Sequence, residues 1–100
     1  MTVYPTPTVN VVANQGPYCN TNAGLAINFS GPVAGTTFSW TSAVNVGFGL
    51  SGSGNIGAFT ASNAGTAPVV AIVTVTPSAN GCVGTPSTFT VTVNPTPTVN

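Results

Sequence analysis

The chain of 100 residues contains no Asp, Glu, Lys, Arg or His, so its formal net charge is zero. Without basic side chains it cannot neutralise phosphates, which argues against nucleic acids and anionic membrane surfaces as partners. It also lacks every usual catalytic acid and base, so its Ser, Thr and Cys side chains have no group to activate them. The sequence therefore predicts no enzyme, no catalytic residue and no cofactor.

The same missing residue types also disfavour metal binding. Calcium sites typically include carboxylates, and two cysteines alone cannot complete a tetrahedral zinc site. We therefore predict no metal site.

The composition favours β structure. Valine (15 residues) and threonine (17 residues) are β-branched and favour strands, whereas Leu occurs only twice. Gly (12), Pro (9) and Asn (11) supply turns. A chain that is 42% hydrophobic with no net charge is not typical of disorder. The longest apolar run, residues 69–73, is too short for membrane insertion. One all-β domain is expected.

The two ends of the chain carry the same motif. Residues 2–10 read TVYPTPTVN and residues 92–100 read TVNPTPTVN, so eight of nine positions match at an offset of 90. This spacing predicts a tandem array with a period of about 90 residues. Pro-Thr-Pro suits a short, semi-rigid connector. We expect a linker remnant at residues 1–8, a single domain at 9–94, and the start of the next linker or repeat at 95–100.

Alternation with a period of two predicts six or seven strands between these ends. Gly47 and Gly49 leave open whether the fourth segment is a strand or a loop. Residues 69–76 are apolar on both faces, which indicates a central strand with Val70 and Ile72 facing outward. In chain order, the apolar positions are Val9 and Val11; Leu25, Ile27 and Phe29; Phe38 and Trp40; Val44, Val46, Phe48 and Leu50; residues 56–61; residues 69–76; and Phe89, Val91 and Val93.

Turns at roughly ten-residue spacing make an immunoglobulin-like β-sandwich the expected fold. Trp40 shares a strand face with Phe38, so we interpret it as a core residue and not as a sugar-stacking platform. Tyr18, near a loop, is the better candidate for a ligand contact. The predicted core consists of Leu25, Ile27, Phe29, Phe38, Trp40, Phe59, Val73, Val75, Phe89 and Val91.

The two cysteines predict one disulfide, between Cys19 and Cys82. Two free thiols are the alternative. If residues 45–50 form a full strand, five traverses of the sandwich place the cysteines at opposite ends. If those residues form a loop, four traverses return the chain to the same end.

The sequence resembles the PKD-like, immunoglobulin-like repeats of large surface proteins in gliding and adhesive bacteria. The resemblance depends on Cys19 before the Leu25 segment, Thr-Phe-Ser-Trp at 37–40, Asn-Gly-Cys at 80–82 and FTVTVNP at 89–95. It implies domains in tandem outside the cell, as stalks or adhesive segments. PKD domains usually follow the strand tryptophan with an acidic turn, whereas residues 41–43 are Thr-Ser-Ala. No ligand or calcium role of that turn is carried over.

We expect a non-catalytic structural repeat, a spacer or adhesion module of a secreted or cell-surface protein, monomeric as an isolated domain. Its partners would be neighbouring repeats. One alternative is a module that binds a surface glycan or protein through residues 15–24, 43–55 and 77–86. Another is a polypeptide chosen or engineered to test whether a protein folds without charge.

The missing charges predict a melting temperature that hardly depends on pH. No side chain of the types present, apart from a free thiol near the upper limit, titrates between roughly pH 4 and 8. Stability changes with pH only where folding changes proton binding, so the curve should be flat. Thermal unfolding followed by circular dichroism across this range tests the prediction. A shift of more than a few degrees would contradict it.

Overall fold

The computed structural model describes residue 3 and residues 5–96, and all regular elements in that part of the chain are strands. The expected all-β sandwich is confirmed: eight strands in the described residues form two sheets. The strands are β1 (Gln15–Cys19), β2 (Ala23–Gly24), β3 (Thr37–Ser42), β4 (Ser51–Ser53), β5 (Phe59–Thr60), β6 (Val69–Ala79), β7 (Cys82–Val83) and β8 (Ser87–Asn94).

The larger sheet is organised around β6. Its strand order is β1-β8-β6-β3-β4, with β7 also paired to β6. β1 runs parallel to β8, and the other pairs are antiparallel. Alternate β6 residues are buried, whereas Val70 and Ile72 on the outer face are 49% and 52% exposed. The central position of residues 69–76 agrees with the sequence interpretation, because a strand paired on both sides needs apolar residues on its core face.

The smaller sheet consists of β2 and β5, extended by one bridge between Ile27 and Ile56. A continuous strand through Leu25 is a wrong prediction, and so is its place in the core, because Leu25 is 70% exposed. Gly24 is the buried residue instead, since the ring of Phe59 occupies the space that a side chain at position 24 would need. Between the Gly24–Phe59 pair and the Ile27–Ile56 bridge, two residues of each segment are unpaired. This interruption shifts the alternation of buried and exposed residues.

Two further segments differ from the expected strands. Residues 5–14 contain no strand, and Val11 is 92% exposed while Val9 and Val12 pack partly against the core. Residues 45–50 form a loop. Gly47 and Gly49 take positive φ values of 134° and 95°, which side chains other than glycine rarely adopt. Isolated apolar alternation therefore did not guarantee a strand.

The core lies between the two sheets around Trp40, which is 6% exposed. Phe48 packs edge-on against Trp40 at a centroid distance of 5.4 Å and against Phe59 at 4.9 Å. Phe38 is half-buried and packs against this cluster. The buried members of the core are Ile27, Phe29, Trp40, Val46, Ile56, Phe59, Ala61, Ala71, Val73, Val75, Phe89, Val91 and Val93.

Gly52 gives a direct test of the Trp40 packing. A Cβ added to Gly52 would lie 2.7 Å from Cζ2 of Trp40, so the indole would have to move. We expect Gly52→Ala to destabilise the domain by about 1–3 kcal/mol through overpacking. Gly57→Ala is the matched control, because no heavy atom lies within 4 Å of its added Cβ. Equal denaturant midpoints for the two variants would contradict the packing.

Candidate functional site

The first candidate site is the end of the domain where the chain enters, here called the leading end. Its tip is the turn Asn80-Gly81 between β6 and β7, with positive φ at both residues. Pro7 is fully buried at this end, although the sequence interpretation assigned it to a linker remnant. The segment that contains the Pro-Thr-Pro motif is therefore packed onto the domain.

Two glycines make room for this segment. A Cβ on Gly84 would overlap the carbonyl oxygen of Pro7, and a Cβ on Gly31 would overlap that of Thr8. Backbone can approach backbone this closely only where side chains are missing. Asn10 then fixes the segment, donating from its backbone N to Ser30 O at 2.7 Å and from Nδ2 to Ser30 Oγ at 3.1 Å. The result is a groove with glycine walls that holds residues 7–10.

The second candidate site is the opposite end, here called the trailing end, where the chain leaves β8. Asn20 donates from its backbone N to Asn94 O at 2.9 Å and from Nδ2 to Thr96 Oγ1 at 3.1 Å. Its Oδ1 accepts a hydrogen bond from Asn63 N at 2.9 Å. One amide side chain thus joins β1, the loop after β5 and the residues that follow β8.

Asn63 is the buried polar residue behind this network, at 4% exposure. Its Nδ2 donates to Val93 O at 2.9 Å and to Ala67 O at 2.8 Å, and its Oδ1 accepts from Gly65 N at 2.9 Å. The sequence analysis did not single out Asn20, Asn63 or the docking of Pro7. The Asn-Ala-Gly turn at 63–65 was a signal for Asn63, since Asn side chains often bond the backbone two residues on.

The structure corrects the predicted disulfide: both thiols are free, with Cys19 exposed and Cys82 half-buried. Cys19 pairs with Asn94 at the trailing end, whereas Cys82 pairs with Ala79 at the leading end. At about 3.3 Å per strand residue, the length of β6 separates them by about 30 Å, far beyond the 4.4–6.8 Å between Cα atoms that a bridge needs. A loop at residues 45–50 was expected to bring them to one end, but β4 follows that loop, so five strands, β2 to β6, still separate the two cysteines along the chain.

Tyr18, the candidate for a ligand contact, makes its contacts within the domain. Tyr18 packs edge-on against Phe59 at a centroid distance of 5.8 Å, and its hydroxyl accepts a hydrogen bond from Leu25 N at 3.3 Å. This half-buried position leaves little of the ring free for stacking on a ligand. Residues 15–24 and 77–86, suggested as parts of one binding surface, lie at the trailing and leading ends respectively.

The described residues contain no group of His, Cys, Asp or Glu that could hold a metal ion. Within the same residues, no helix has the length and apolar character needed to cross a membrane.

Comparison with known families matches a PKD-like domain over residues 18–97. The chain belongs to the PKD-like domain family. The resemblance drawn from the Trp40 and Cys82 segments is thereby confirmed. Searches of the curated proteins and of the solved structures returned no match. PKD-like domains are generally non-catalytic structural modules, and they typically occur in extracellular or surface proteins.

This PKD-like domain builds the turn after its strand tryptophan without an acidic residue. Ser42 is buried, and its Oγ donates to Val44 O at 2.6 Å. The next turn uses Asn45, whose Oδ1 accepts from Gly47 N and Gly49 N at 3.0 Å each. Neutral hydroxyl and amide groups therefore make the local hydrogen bonds of this turn.

Asn63 is the residue on which the trailing end depends most. Asn63→Ala removes three hydrogen bonds to the backbone, one of them to the buried carbonyl oxygen of Val93. We expect a loss of about 2–4 kcal/mol, since buried groups left without partners cost more than the bonds contribute. The exposed Asn28→Ala is the control and should stay within about 0.5 kcal/mol of the parent. Urea unfolding of both variants measures the difference, and comparable losses would refute this role.

Proposed function

We propose that this PKD-like domain is a non-catalytic structural repeat that extends a secreted or cell-surface protein, with neighbouring repeats as its partners. The observation that carries the proposal is the placement of the two chain ends. The chain enters at the leading end beside Gly84 and leaves at the trailing end beside Asn20. Units joined in this way lie end to end, so each one adds its full length to the protein.

The repeat makes the joint between units short. At an offset of 90, Pro97 corresponds to Pro7 of the following unit. Pro97 and the rest of the second motif copy lie outside the described residues, whereas Pro7 is described and buried. Between Asn94, the last residue of β8, and the position that corresponds to Pro7 there are only Pro95 and Thr96. Two residues span at most about 7 Å, and Thr96 is itself held by Asn20.

Such a joint favours a stiff spacer over beads on a flexible string. Pro95 restricts its own φ and the conformation of Asn94. The groove beside Gly31 and Gly84 would fix the next segment on arrival. A stalk of uncharged units would also keep its shape as pH and ionic strength vary, because no ion pair has to be maintained.

A two-unit protein tests the proposal. It consists of residues 1–100 followed directly by residues 11–100, since residues 92–100 already supply positions 2–10 of the second unit. We expect small-angle X-ray scattering to give a rod with a maximum dimension about twice that of one unit, because two-residue joints leave little freedom. Inserting Gly-Ser-Gly-Ser between Thr96 and Pro97 should shorten the mean separation of the units while both domains stay folded.

Gly84→Ala in the second unit probes the groove itself, because its Cβ overlaps Pro7 O. Gly57→Ala in the same unit is the control. We expect only the first substitution to broaden the distribution of distances between the units. Parent and Gly-Ser variants with the same scattering curve would overturn the stiff spacer.

A further inference from the structure

The two free cysteines lie at the two ends that adjoin the joints of an array. Cys19 is opposite Asn94 in the β1–β8 pairing, one residue before the joint begins. Cys82 begins β7 directly after the turn at the tip of the leading end, two residues before Gly84. Both thiols are accessible, since Cys19 is exposed and Cys82 is half-buried. Neither has a role in the core.

In a tandem array, the repeat would place Cys19 of one unit and Cys82 of the next at nearly the same height along the long axis of the array. Pro7 contacts Gly84, and two residues outward along the two segments are Pro5 and Cys82. At the offset of 90, Pro5 of one unit is Pro95 of the unit before it, the residue that follows Asn94. Cys82 of one unit is therefore level with Pro95 of the preceding unit, and Cys19 of that preceding unit is level with Asn94. One strand residue, about 3.3 Å, separates the two levels along the axis.

We infer that Cys19 of one unit and Cys82 of the next form a disulfide across the joint. This inference rests on the proposed function, since it requires units in tandem. It explains why the cysteines lie too far apart to pair within one domain and yet occupy complementary ends. Each bridge would lock the rotation of one unit against its neighbour, turning a short joint into a rigid one.

The chemistry is thiol–disulfide exchange with a small-molecule disulfide, such as glutathione disulfide, as the oxidant. The thiolate of Cys19 attacks one sulfur of the oxidant, forms a mixed disulfide and releases one glutathione thiolate. The thiolate of Cys82 in the next unit then attacks the Cys19 sulfur and releases the second. Two protons and two electrons leave the protein, and the oxidant becomes two thiols. Extracellular surroundings maintain such bridges.

The experiment uses two variants of the two-unit protein, each with two cysteines. The first carries Cys82→Ser in unit one and Cys19→Ser in unit two, so only the inferred pair remains. The second carries Cys19→Ser in unit one and Cys82→Ser in unit two, so the remaining thiols lie at the outer ends. After treatment with glutathione disulfide, we expect the first variant alone to lose about 2 Da and to become resistant to alkylation. Reduction should restore both thiols.

The possible results distinguish failure of the proposed disulfide from failure of the proposed spacer function. Thiols in the first variant that remain open to alkylation, in a protein whose scattering still shows a rod, would overturn the bridge and leave the spacer standing. Equal closure in both variants would overturn both, since it requires units that tumble freely. Closure of the first variant at least about tenfold faster than the second supports the bridge, because a fixed geometry raises the effective concentration of one thiol at the other.

Discussion

The pairing of β6 with its two neighbours is the interaction on which the rest of the structure depends. Eleven residues from Val69 to Ala79 pair with β3 on one side and with β7 and β8 on the other. The inner face of β6 carries Ala71, Val73 and Val75, all at 0% exposure, and Val75 pairs with Trp40 of the neighbouring strand β3. Because β6 runs from one end of the domain to the other, it also sets the distance between the two ends where the chain enters and leaves.

Amide and hydroxyl side chains make the polar contacts that charged residues often make in other domains. Asn20 and Asn63 hold the trailing end, Asn10 holds the docked segment, and Asn45 holds the loop before β4. In the part of the chain that the structure describes, no buried side-chain nitrogen or oxygen lacks a partner. A neutral amide can both donate and accept, so one Asn satisfies several backbone groups at low desolvation cost.

The two ends of the domain are built differently, and the proposed spacer depends on this difference. Glycines at positions 31 and 84 leave space for the segment that arrives, and Asn20 fixes the residues that depart. The turn with Asn80 and Gly81 places Cys82 beside Ala79 at the leading end, while parallel pairing with β8 places Cys19 at the other end. The stalk proposed above would gain length and stiffness from such units without any charged contact.

The all-β class, the central strand at residues 69–76 and the Trp40 face followed from the sequence, because period-two alternation survives wherever a strand is long and paired on both sides. The repeat of residues 2–10 at 92–100 was also visible there. Tertiary structure alone decided that Leu25 is exposed and Gly24 buried, that Pro7 is docked, and that Cys19 and Cys82 lie apart. These outcomes depend on contacts between segments distant in sequence, where the ring of Phe59 or the wall at Gly84 overrides local pattern.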